Sequence, residues 1–144
     1  MTSVNLSENK DIESIRNYIF SIDFSMIIDK MVLREKWRRS DAEKACEMYR
    51  NFLFLNVKYS EHLPLPPSDE IDEFWHHHIL DTKKYIKDCE QIFGRYFHHY
   101  PYLGKQEANK MFENTQALYH QEFGDYIYKI RRHFIVASLL KWAE

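Results

Sequence analysis

Glycine occurs three times and proline four times in this 144-residue chain, and three of the four prolines fall together at 64, 66 and 67. With so few places to break the backbone, and with apolar residues recurring at three and four positions rather than at two, the sequence predicts helices nearly throughout. Cysteine is also scarce. Cys46 and Cys89 are the two thiols, too few for a disulfide framework, and MTSVNLSENK has neither a basic nor an apolar leader region. Both features predict a reducing, cytoplasmic setting. No apolar run approaches the ~20 residues that span a bilayer. Charge of one sign is lacking too: 20 basic against 22 acidic residues give no field to draw in nucleic acid. No Ser-His-Asp order, phosphate loop, dinucleotide fingerprint, zinc-finger spacing or HExxH helix is present.

What the chain does hold is a large apolar fraction, 44% hydrophobic with ten Phe and ten Tyr. At this length a single domain can bury roughly two thirds of its unfolded surface without a metal as its sole stabiliser. The expected fold is all-α, a single bundle of about six helices over residues 1–144. Its parts are N-terminal helices over 1–61, a His/Cys segment over 64–104 and C-terminal helices over 105–144.

A first helix is expected over about 7–20, with Ser7 as cap and Ile12, Ile15 and Ile19 inward. A second is expected over about 24–37, with Ile27, Ile28, Met31 and Val32 as its stripe and Lys36, Arg38 and Arg39 as a solvated basic end. Ser40-Asp41-Ala42-Glu43 has the form of a capping box opening a third helix to about Lys58, with Cys46 as a small buried hydrophobe. His62–Pro67 is a stiff connector, with a polyproline ligand as the lesser alternative. Further on, a helix is expected over 105–123, bounded by Gly104 and Gly124, with His120 in a surface or packing role. A last helix from about Asp125 carries Ile127, Ile130, Phe134 and Ala137 on its inner face beside Lys129, Arg131, Arg132 and His133. Packing accounts for it better than contact with a membrane or RNA, and its apolar end, Phe134–Trp142, is the candidate homodimer contact.

Five of the eight histidines fall between Pro64 and Gly104. After a Ser68 or Asp69 cap, Ile71, Phe74, Trp75, His78 and Ile79 share one helical face. His76 lies at its flank with Asp72 one turn before, and His77 is expected to be exposed. Asp81-Thr82 starts a second helix, which makes a tight hairpin that sets Tyr85 opposite His78 and Cys89 opposite Trp75. Gly94 then turns the chain back, returning His98 and His99 toward Asp72 and His76. The expected metal ligands are His76, His78, Cys89 and one of His98 and His99. Asp72 would orient an imidazole or act as a base on bound water, and Tyr85 or Tyr100 would donate to a developing anion. Zinc is the first choice of ion, with iron or copper as alternatives. The competing expectation is a buried polar network of imidazoles and Tyr hydroxyls.

Pro67-Ser68, Ile71-Asp72, Trp75-His76-His77-His78, Asp81-Thr82, Tyr85, Asp88-Cys89, Phe93-Gly94, His98-His99 and Pro101-Tyr102 together resemble the glycine-rich domain-containing protein-like family. That pattern has a Trp-His-x-His element followed by a Tyr and an Asp-Cys…Phe-Gly segment. The resemblance covers about 64–104 and implies a helical module in which His76 and His78 are the motif imidazoles and Cys89 the motif cysteine. The glycine-rich tail of the plant members is lacking. The residues themselves carry the expectation of a small helical protein with a His/Cys metal centre, with metal-dependent catalysis on an unknown small-molecule substrate as one use for it; the resemblance supplies no reaction. The alternative is a non-enzymatic module that binds another protein.

Overall fold

A computed structural model describes residues 2–60 and 63–130, with side chains from residue 11 onward. Among these residues the chain is all-α, with no strands: α1 (Thr2–Ser21), α2 (Ser25–Glu35), α3 (Arg39–Tyr59), α4 (Asp69–Leu80), α5 (Thr82–Phe93) and α6 (Lys105–Phe123). No helix among them is long and apolar enough to cross a membrane.

The centre is α3, which packs against α1, α2, α4 and α6. Its consecutive residues Phe52, Leu53, Phe54 and Leu55 are all buried, as a helix covered on every side requires. Ile19 of α1 and Ile27 and Met31 of α2 are buried against it, as their spacing predicts. Although α1 ends without a glycine, the guanidinium of Arg50 reaches across from α3 and donates to the carbonyls of Ile19 (2.6 Å) and Ile22 (2.8 Å). A planar fork of donors thus closes the carbonyl end of a neighbouring helix.

The start of α3 differs from the expected capping box. Lys36 takes a left-handed conformation (φ 63°), Trp37 is buried, and its N–H returns to the Met31 carbonyl at 3.1 Å. This buried plug fixes where the chain turns. Arg38 becomes the N-cap residue with no side-chain cap bond, the Ala42 N–H closes the first turn on the Arg38 carbonyl at 3.0 Å, and Ser40 falls inside the helix.

The proline connector is held by Asn56. Its Oδ1 accepts the Leu65 N–H (2.8 Å) and its Nδ2 donates to the Phe52 carbonyl (2.9 Å). Ser68 then caps α4 by accepting the Ile71 N–H at 3.3 Å. A single residue, Asp81, separates α4 from α5, which gives the hairpin expected from the sequence. Gly94 (φ 68°) and Gly124 (φ 73°) end α5 and α6 in the left-handed region that glycine occupies without strain.

The expected helix from Asp125 is not formed over 125–130. The Gln116 carboxamide instead pairs with both backbone groups of Ile127, each at 2.8 Å, an extended pairing incompatible with a helical turn there. His120 stacks on Tyr126 (4.2 Å, 3°), consistent with a packing role. Arg131, Arg132, His133 and the Phe134–Trp142 dimer contact lie outside the described residues.

Because Asn56 is 1% exposed and serves two backbone groups, Asn56→Ala should lower the unfolding free energy by about 1–3 kcal/mol. Urea titration followed by circular dichroism measures this, and an unchanged midpoint would remove Asn56 as the anchor of the connector.

A candidate metal centre between α4 and the return loop

Four near-parallel rings run from α5 across the return loop to α4: Phe93 on Phe97 (4.2 Å, 14°), Phe97 on Trp75 (5.0 Å, 19°) and Trp75 on His99 (4.1 Å, 12°). Offset stacking of this kind favours one placement of an otherwise irregular loop. The Tyr85 hydroxyl fixes it further, accepting from the Trp75 indole N–H at 2.9 Å and donating to the Phe97 carbonyl. Residues 94–104 are thereby laid over α4 with His99 facing inward and His98 exposed beside Tyr96.

That placement brings the His99 Nε2 into hydrogen-bond contact with Asp72 Oδ1. Asp72 and His76, four apart on α4, face the same way. One ligating atom from each of Asp72, His76 and His99 lies within 4.8 Å of the others. The three stand on the wall of a groove of about 570 Å³ whose other sides include Leu65, Pro66, Ile79, Tyr100 and Leu103. For bond lengths of 2.0–2.2 Å, tetrahedral ligand atoms sit about 3.3 Å apart, so small side-chain movements suffice to close this set on an ion.

The remaining expected site residues stand elsewhere. His78 is 1% exposed and both its nitrogens are engaged: Nδ1 with the Tyr49 hydroxyl (2.7 Å) and Nε2 with Asp88 Oδ2 (2.8 Å). A neutral ring donating from Nε2 and accepting at Nδ1 satisfies both contacts. Burial pushes the imidazole below its ordinary value and outweighs the opposing effect of Asp88. Burial alone would raise the Asp88 carboxyl, but hydrogen bonds from His78 and Tyr18 hold it below its ordinary value. The Tyr18 hydroxyl donates to Asp88 Oδ1 at 2.7 Å and is pushed up to about 12, by burial first and then by Asp88. Cys89 is 2% exposed, and burial raises its thiol despite hydrogen bonds involving Phe97 and Tyr85. The Tyr85 hydroxyl is raised far out of the neutral range by burial. With its proton committed to the Phe97 carbonyl, Tyr85 is a structural group here rather than a donor to substrate. His98 lies on the groove rim without joining the three-residue set.

His77, expected to be exposed, is buried at 7% exposure, and its Nε2 pairs with Glu35 Oε1 at 2.7 Å. Together with Glu73 these residues make a second convergence of ligating atoms within 4.8 Å. The Glu73/His77 spacing was its only local signal, because Glu35 comes from α2.

A family model described as UCP032817-like matches residues 10–135. The chain belongs to the UCP032817-like family. No curated protein and no solved structure matches it. The matched span of this UCP032817-like chain takes in all of α2 to α6 and the groove, so both convergences lie within the family's own extent.

The pH dependence follows from His78 and Asp88. Below the ordinary imidazole value of 6.5 the unfolded chain takes up a proton that folded His78 accepts only at lower pH. Stability therefore falls as pH drops from 6.5 through the folded value. The Asp88 contribution is complete above 3.8 and is lost as pH falls through its own lower folded value. Urea midpoints measured from about pH 7.5 downward should decline across the upper window, and His78→Gln should flatten that part of the profile at a lower overall stability. A wild-type midpoint that rises on acidification contradicts this assignment.

Proposed function

We propose that Asp72, His76 and His99 bind a divalent metal ion at the wall of the groove and leave coordination positions open to a small-molecule ligand. The observation that supports the reading is the convergence of two imidazoles and one carboxylate within 4.8 Å beside a space large enough for a ligand. A two-His, one-carboxylate set suits zinc first and ferrous iron second. With Cys89 outside the set, the soft donor that would favour copper is missing. Apolar walls with the ion at one side favour a ligand that has an apolar body and an oxygen donor, and a bound ion would polarise that oxygen or activate water beside it. On this reading the chain is a metal-dependent enzyme.

The non-enzymatic alternative is favoured by one specific observation. Asp72 and His99 already hydrogen-bond to each other while His99 stacks on Trp75, an arrangement that also serves to pin the return loop.

Metal analysis of chain purified without a His tag, together with zinc titration calorimetry, separates the two. The proposal expects one ion per chain, about 100-fold or greater weakening in His76→Ala and His99→Ala, and a gain of about 2.7 kcal/mol in stability at zinc concentrations 100 times Kd. Metal-free protein whose unfolding midpoint is unmoved by zinc or ferrous iron establishes the structural alternative.

A further inference from the structure

The groove beside Asp72, His76 and His99 is poor in one kind of group. Among the described residues no lysine or arginine lines it, and its ionisable side chains outside the three-residue set are Asp69, His98, Tyr96 and Tyr100. Cations are not scarce elsewhere on the molecule. Lys83, Lys84 and Lys87 line a separate cleft of about 430 Å³ where α1 meets α5, so the lack belongs to the groove itself.

Asp69, Asp72 and His76 follow one another three and four residues apart on α4, a spacing that lays them along one face of the helix. Asp69 is exposed at the start of that face. Two carboxylates offset the charge of a divalent ion, and a loaded site therefore keeps little surplus attraction for an anionic ligand. The other walls decide what the body of a ligand must be. Leu65 is buried, Ile79 and Leu103 are half-buried, and Tyr96 and Tyr100 stand 40% and 48% exposed. Such surfaces suit a ring-sized apolar body. A carboxylate or phosphate placed among them would lose water and gain no cationic partner.

We propose that the groove takes uncharged compounds with a ring-sized apolar body and two adjacent oxygen donors, and that Asp69 and Leu103 exclude their anionic counterparts. This selection rests on the metal reading of Asp72, His76 and His99. Three protein ligands leave room for two further oxygens on a five-coordinate zinc or a six-coordinate ferrous ion. The oxygens anchor one end of the compound, and its body then extends over Ile79 and Leu103, where charge decides whether it stays.

Benzohydroxamic acids probe this selection, because the chelating end stays constant while the far end of the ring is varied. Calorimetry on the zinc-loaded chain at about pH 7.5 should show the para-methyl compound binding about 30-fold more tightly than the para-carboxylate compound. Leu103→Lys places a cation on the far wall and should bring the two compounds to within about threefold of each other. Asp69→Asn, an exposed change, should strengthen the para-carboxylate compound alone, by about threefold at low salt. Folding of both variants is checked by the near-UV signal of the aromatic core. Equal affinity of the wild-type chain for the two compounds overturns the inference, as does a folded variant that leaves their ratio unmoved. Zinc uptake with neither compound bound also overturns it, yet leaves the metal site standing. A chain that takes up no zinc fails at the ion itself, and the inference falls with it.

Discussion

One neutral imidazole ties the bundle together. His78 on α4 accepts from Tyr49 on α3 and donates to Asp88 on α5, and Asp88 in turn accepts from Tyr18 on α1. Four helices are joined by three hydrogen bonds, and the two made by His78 lie inside an aromatic core where neither nitrogen could be left unpaired. Phe24, Tyr49, Phe74 and Tyr85 surround the His78 end of the chain with edge and tilted ring contacts, whereas Tyr18 and Asp88 border an open pocket beside Lys84. Removing the His78 ring would leave Asp88 charged and buried, a loss that typically costs about 3–5 kcal/mol. The same burial keeps the imidazole neutral, and neutrality permits it to accept from a tyrosine on one side while donating to a carboxylate on the other.

With the rotation of α4 fixed in this way, its other faces follow. Asp72 and His76 turn to the groove, and Glu73 and His77 turn to α2. The groove pair becomes a three-residue set only because the stacked run from Phe93 to Trp75 places His99 above it. Aromatic geometry and hydrogen bonding therefore meet at Trp75, whose ring carries the stack and whose N–H secures Tyr85.

The parts legible in the sequence were those decided locally. Apolar spacing set the inner faces of α1, α2 and α4; Ser68, Asp81, Gly94 and Gly124 marked where helices start and stop. The shared face of Ile71, Phe74, Trp75 and His78 was also readable, but its meaning for His78 was not. Burial of a histidine on an apolar face fits a ligand and a hydrogen-bonded core residue equally, and the deciding partner, Tyr49, lies on another helix. His77 was misplaced for a related reason: a wheel with one buried face cannot describe a helix packed against both α3 and α2. Cys89 does face the core, but as a buried thiol rather than as a donor beside His76. Over 125–130, the carboxamide of Gln116 captures Ile127 and displaces the helical turn that the apolar spacing predicts there. Inward His99 and outward His98 depended on ring stacking that no spacing encodes.

The twelve residues of α4 divide their circumference among three environments: an aromatic interior, a groove, and the cluster that Glu73 and His77 make with Glu35 of α2. Adding or deleting one residue between Glu73 and His76 would rotate everything upstream by about 100° relative to His78. Asp72 and Glu73 would then part from the imidazoles they face, even if every helix still formed. Point changes can be absorbed by repacking, whereas a change of length here converts one working surface into another. Within α4, then, a change of residue is structurally milder than a change of length.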